Sequence, residues 1–254
     1  SAASDVYKRQ IKYIIIKRKD KKMLNKNFPV MPHQSTMSGK LIGLQSISNN
    51  TLKNKFCYDN YIQGKIANEK AGYVIDICGV CYSQEMLQGV RKNVGPALDR
   101  NEYLAERLLN DNEIPTILHA YYRFNAHGEL LTEVINDKGE IIKTYPKFNH
   151  IENYCKIAEK NPHCMFALWS KRTDIIKPFF NKRKKPNNLN LIYSVKKTNS
   201  ILKKIPKHFD KTFNNVSVDQ FVNEQNCTGQ KCKDCLLCYK KETTNIIVEK
   251  IKKY

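Results

Sequence analysis

The chain lacks an apolar run long enough to cross a bilayer, since the stretch Tyr13–Ile16 falls far short of the ~20 residues a membrane helix needs. It also lacks a signal-peptide core followed by a small-residue cleavage site, so the expected setting is the cytosol, with no membrane partner. Acidic residues are scarce: 24 Asp and Glu stand against 44 Lys and Arg, a net charge of +20. That excess admits nucleic acid as a partner, but stacking motifs for RNA are missing and the lysines are scattered. The plainer reading is therefore a solvated, lysine-rich surface of AT-rich coding origin. Histidine in ligand spacing such as H-x3-H is missing as well, and His127, just before Gly128, reads as a polar rim or turn residue. Hydrophobic residues, at 41%, suffice for one large domain, or for a barrel with a small appendage.

What is present is cysteine. Nine occur, and four fall within Cys227-Thr-Gly-Gln-Lys-Cys232-Lys-Asp-Cys235-Leu-Leu-Cys238, spaced C-x4-C-x2-C-x2-C. No strand or helix is expected inside this span, so the loop can curl until the four sulfurs converge. Cys232, Cys235 and Cys238 repeat the C-x2-C-x2-C run of bacterial ferredoxins, and Cys227, Cys232 and Cys235 the C-x4-C-x2-C run of the plant type. Zinc ribbons usually set two C-x2-C pairs 12 or more residues apart. Iron–sulfur, as [4Fe-4S], is the first reading, a compact zinc knuckle the second, and structural thiols or disulfides the third. A reducing cytosol favours metal ligation over disulfides.

A second set comprises Cys57 and, twenty residues on, the pair Cys78-Gly-Val-Cys81. The pair can bind from one tight turn, where Gly79 would allow a positive φ. Cys57 is either a third ligand or a small buried hydrophobe beside Phe56. Cys155 and Cys164 lie among apolar neighbours and read as packed hydrophobes.

Residues 1–22 read as upstream sequence. SAASDVYKRQ resembles translated adapter read-through, and Met23 is the expected start; without these residues the charge is still +14. Residues 23–222 read as an α/β domain and 223–254 as a cysteine-rich appendage. Within the domain, Leu41–Ser48 is expected as a first strand, followed by a loop that carries Cys57, Cys78 and Cys81. Helices are expected from Ser83 with Met86, Leu87, Val90 and Val94 on one face, and again beyond Pro96. Strands follow at Thr116–Phe124, Met165–Trp169, Leu189–Tyr193 and Val216–Val218. Between them come a hairpin at Glu133–Tyr145, a helix at Phe148–Lys160, and another capped by Thr173 and running to Lys182. This order predicts a mostly parallel sheet, open or as an incomplete (β/α) barrel, with helices outside and a C-terminal cysteine-rich loop. In either case the functional edge is the carboxyl end of the strands, where Arg123, Lys171 and Ser194 recur as candidates for binding a substrate or cofactor.

The series Phe56-Cys57, Ile77-Cys78-x-x-Cys81-Tyr82, Tyr122-Arg123-Phe124-x-x-His127-Gly128-Glu129, Asn161-Pro162, Phe166-Ala167-Leu168-Trp169-Ser170-Lys171-Arg172, Pro186-x-Asn188-Leu189, Ser194 and the Cys227–Cys238 cluster resembles the phage and bacterial family called gene product 88-like. The resemblance runs from about residue 40 to the C-terminus. It implies phage or mobile-element origin and the cytoplasm of a bacterial host, but no activity. In layout the chain is also distantly similar to radical S-adenosylmethionine enzymes, which hold a three-cysteine [4Fe-4S] cluster after the first strand of a partial (β/α) barrel. That similarity implies a reactive cluster on Cys57, Cys78 and Cys81, with S-adenosylmethionine as a possible cofactor and an unidentified small molecule or macromolecule as substrate. Here C-x20-C-x2-C stands where those enzymes have C-x3-C-x2-C, and Tyr82 follows the last cysteine where they place an aromatic before it. The competing classes are a basic zinc protein that binds nucleic acid and a structural metalloprotein.

Overall fold

The computed structural model describes residues 31–217 and 222–251. The readings for residues 1–22, Met23 as start, and Val218 lie outside these residues. From Pro32 onward the chain is one unit built on a seven-stranded sheet. Strands β1 (Gln34–Thr36) and β2 (Gln45–Ile47) pair antiparallel; helix α1 (Lys55–Ala71) and short helices α2 (Tyr82–Gln88), α3 (Gly95–Asp99) and α4 (Tyr103–Glu106) lead to β3 (Tyr121–Phe124). A hairpin, β4 (Glu133–Ile135) and β5 (Ile141–Thr144), stands apart from the main sheet. Helix α5 (Asn149–Lys160), β6 (Met165–Ser170), α6 (Thr173–Phe180), β7 (Leu189–Ser194), β8 (Lys211–Val216), the single turn α7 (Cys232–Cys235) and β9 (Ile246–Lys250) complete it.

From β2 through β3, β6, β7, β8 and β9 all neighbours are parallel, and spatial order follows chain order without reversal. That is the winding of a (β/α) barrel, with β1 and β9 left as edges. The connections from β3 to β6 and from β6 to β7 place α5 and α6 on one face, as right-handed crossovers in one direction do. There Phe124 stacks between Tyr154 of α5, at 4.0 Å, and Phe166 of β6, at 4.9 Å. Ile151, Ile157, Ile175 and Ile176 close the same core. The alternate residues Tyr121, Ala167, Trp169, Ile192 and Phe213 face the other side, which the segment around Cys232–Tyr239 covers.

Several expected boundaries shift for physical reasons. The expected Leu41–Ser48 strand is partly a 3-10 turn, Gly39–Leu41, and β1 precedes it. The expected loop with Cys57 is the 17-residue helix α1, which buries only Tyr61 and Gly64 and so has little amphipathic pattern. Val90 is 93% exposed, not part of an apolar face. Thr173 is the first residue of α6, not its cap, and the helix stops at Phe180, two residues after Pro178. A helical turn divides the C-terminal cysteines where none was expected, and Ile246–Lys250 beyond them pairs with the main sheet as β9.

The junction of α5 with β6 rests on side-chain amides. Asn188 Nδ2 donates to the carbonyls of Ala158, Asn161 and Cys164, each at 2.9 Å, which satisfies the end of α5 and the entry to β6. Asn188→Ala leaves these buried carbonyls short of a donor and should lower stability by about 2 kcal/mol, read from the urea midpoint at unchanged m-value.

Candidate functional site

The twenty residues between Cys57 and Cys78 are spent on a helix and its return. Asn54 caps α1, its side chain accepting from the Cys57 amide at 3.3 Å, so Cys57 sits in the first turn. The helix stops at Gly72, which takes φ 72°, and the chain doubles back. Asn68 clamps the return: its Oδ1 accepts the amides of Ile75 and Asp76 and its Nδ2 donates to the Asp76 carbonyl. Asp76 then caps the 3-10 turn Ile77–Val80 by accepting the Cys78 amide at 2.9 Å. The turn lies directly on α1, because a Cβ at Gly79 would come within 2.5 Å of the Gly64 carbonyl oxygen. Gly79 is therefore needed for close approach and not for a positive φ, which it does not adopt.

This return brings Cys57, Cys78 and Cys81 into mutual electrostatic range around Lys171 and Glu129. Burial in the cavity wall pushes the Cys57 thiol up, and Glu129 with the other two cysteines adds to it, while Lys171 opposes. The Cys78 thiol is pushed up to about 11 by burial, again against Lys171. Burial disfavours the Lys171 ammonium, yet Cys78, Glu129, Cys81 and Cys57 together hold its pKa above that of an ordinary lysine. Lys171 Nζ donates to Ser194 Oγ at 2.8 Å, and its own amide donates to the Glu129 carboxylate at 2.7 Å. The Cys57 and Cys78 thiols therefore stay protonated at neutral pH unless a metal displaces the proton.

The second set is held by the sheet edge and the single turn. Cys227 bridges to Glu249 of β9, its amide donating to the Val248 carbonyl at 3.0 Å. Leu236, at φ 56°, turns the chain after α7, and Cys232, Leu236 and Cys238 pack against the cluster of Leu41, Leu44 and Tyr239. Lys40 is ion-paired with Glu249 and lies 4.0 Å from Cys227 Sγ. Burial raises the Cys227, Cys232 and Cys238 thiols; Arg123 opposes this at Cys232 and Cys238, and Lys40 at Cys227 and Cys232. Cys235 accepts from Gln230 Nε2 at 3.4 Å. Among the described residues no three Cys, His, Asp or Glu side chains are gathered closely enough to hold one metal ion.

Both sets open onto one cavity of about 460 Å³. Cys57, Cys78 and Cys81 line one part of it and Cys227, Cys232 and Cys238 another, with Arg123, Lys171 and Ser194 also in its wall. Register explains the gathering: Arg123 pairs with Ala167 and Trp169 with Ile192, so these side chains and the following Lys171 and Ser194 point to the face away from α5 and α6. Arg123 lies over Trp169, its Cζ 3.9 Å from the ring centroid. His127 also lines the cavity; its Nδ1 meets Ser83 Oγ at 2.8 Å and the bulk of the ring is buried.

Glu129, one of the polar residues expected at the end of the strand with Arg123, Asn125 and His127, lines the cavity, whereas Trp169 and the Lys40–Glu249 pair were missed. Trp169 reads as strand core, and the Lys40–Glu249 pair has no local signal, its members being 209 residues apart. Cys155 and Cys164 are fully buried in the core, as expected.

The strand order and the two thiol sets define an α/β protein with a cysteine-walled cavity at the carboxyl end of a singly wound sheet. The chain matches the family described as Gene product 88 over residues 15–241 and belongs to that family. No curated protein and no solved structure gave a match. Among the described residues no helix is long and apolar enough to cross a membrane.

Proposed function

We propose that this Gene product 88 family member is an iron–sulfur enzyme of phage or mobile-element type, acting on a small molecule in the shared cavity. In this reading Cys57, Cys78 and Cys81 hold a [4Fe-4S] cluster with one iron left for a non-protein ligand, and Cys227, Cys232, Cys235 and Cys238 hold a second, closed site. The observation that carries it is the opening of six of these seven cysteines onto one cavity, beside the half-buried Lys171. Support for S-adenosylmethionine as the non-protein ligand comes from layout alone: parallel strands wound in chain order, with the three-cysteine set following β2.

The test is metal and acid-labile sulfide content after anaerobic purification, with the electron paramagnetic resonance spectrum of the reduced protein before and after S-adenosylmethionine. Two clusters correspond to about eight iron and eight sulfide per chain. Cys57→Ser should remove about half of the iron and abolish any spectral response to the cofactor, while Cys155→Ser should leave both unchanged. Zinc without sulfide would replace this reading with the structural-metal one; iron with a spectrum indifferent to the cofactor would remove the radical chemistry alone.

A further inference from the structure

The cavity is unevenly supplied with charge. Of its four cations, Lys40 is ion-paired with Glu249, and Lys171 lies against Glu129. Arg91 donates to Ser38 Oγ at 3.0 Å and has no carboxylate partner among the described residues. Arg123 is more exceptional. Among the described residues its guanidinium makes no hydrogen bond or ion pair; it is fixed by the Trp169 ring, and its Nε is buried without an acceptor. A guanidinium presents five N–H donors in a rigid fork suited to a carboxylate or phosphate. A buried donor with no acceptor is costly, and stacking on an indole fills none of these bonds. The Cys232 and Cys238 thiols feel the Arg123 charge, but at a range that leaves its donors unused.

We infer that the molecule bound in this cavity carries an oxyanion, a carboxylate or a phosphate, and that Arg123 receives it as a fork held over Trp169. The inference deepens the proposed function by naming a substrate class; it rests on the cavity as the binding site and not on which metal the cysteines hold. Trp169 is the single tryptophan of the chain, so the receptor carries its own fluorescent reporter.

The experiment titrates the protein as purified with inorganic phosphate and, separately, with acetate, against chloride at matched ionic strength. Binding is followed by Trp169 fluorescence and by calorimetry. A saturable response to phosphate or acetate, absent with chloride, is expected, and the stronger of the two identifies the group. Arg123→Gln should weaken it about tenfold or more, Arg123→Lys should fall between, and Lys65→Gln, a cation held over Tyr61, should bind as the parent does. No saturable response to either anion overturns the inference. A response undiminished in Arg123→Gln, with or without loss of metal from that variant, also overturns it, because Arg123 would then serve only the cysteines. Circular dichroism of Arg123→Lys separates lost binding from lost fold. Iron and sulfide, measured on the same samples, keep the two readings apart: oxyanion binding without clusters supports this inference and removes the iron–sulfur one, whereas clusters without oxyanion binding remove this inference alone.

Discussion

Replacing Gly79 by alanine should lower the free energy of unfolding by about 3 kcal/mol or more and, where Cys57, Cys78 and Cys81 hold the proposed cluster, lower the metal content of the protein with it. The new Cβ would lie 2.4 Å from the carbonyl carbon of Gly64 and 2.5 Å from Asn68 Nδ2. Two of the three nearest atoms are helix backbone, so rotamer changes cannot relieve the clash. The turn must lift from α1, and it carries Cys78 and Cys81 away from Cys57. Gly64→Ala makes the reciprocal clash, 2.5 Å from the Gly79 nitrogen, and should give the same pair of losses. Gly72→Ala is the contrast: nothing lies within 4 Å, and it should cost only the strain of its positive φ, with metal content retained. Denaturant midpoints and metal analysis of the three variants check this. Full metal content in Gly79→Ala would show that the Gly64–Gly79 contact does not set the cysteine geometry.

Acidification from pH 7 to pH 5 should remove about 4 kcal/mol of stability, about 2 from each of two buried histidines. Burial holds His150 down at about 3, with Arg172 acting in the same direction, and burial holds His127 down at about 4, reinforced by Arg123 and Arg91. His150 Nδ1 accepts the Leu131 amide at 2.9 Å, so a proton there would destroy that bond. In the unfolded chain both titrate near 6.5. Between 6.5 and the folded values the unfolded state binds more protons, so the stability is fully present above 6.5 and is lost as pH falls. Glu113, which Arg107 holds at about 2, adds loss below its ordinary 4.5, whereas Glu129, raised by burial, works the other way. Urea unfolding at half-unit intervals from pH 7 to 5 should therefore show a slope that Ser83-facing His127→Gln roughly halves. A flat profile over that interval would mean the histidines are not buried neutral.

Much of the architecture is legible in local pattern. The apolar runs at Met165–Trp169 and Leu189–Tyr193 announce central parallel strands, each one residue longer in the structure, and the Asn136–Gly139 turn announces the hairpin. Polar strands are harder to see. β8 contains Lys211 and Asn214, whose polar groups reach partners far along the chain; Lys211 Nζ donates to Thr243 Oγ1 and Asn214 Nδ2 to the Ile247 carbonyl. Helix α1 is hidden for a related reason. It meets the returning turn through the Gly64 backbone and the Asn68 side-chain amide, which leave no periodic apolar stripe.

The amino-acid sequence by itself determined the number and spacing of the thiols, the basic balance, the alternation of strands and helices, and Arg123, Lys171 and Ser194 as strand-edge residues, because each is written in composition or in a period of a few residues. Only the tertiary structure decided that Cys57 lines the same cavity as Cys78 and Cys81, that Cys227, Cys232 and Cys238 line it too, and that Arg123 lies on Trp169 without an acceptor among the described residues. Those facts depend on sheet register and on two glycines from different elements meeting at backbone distance. Such contacts are made between positions far apart in the chain, where no local period records them.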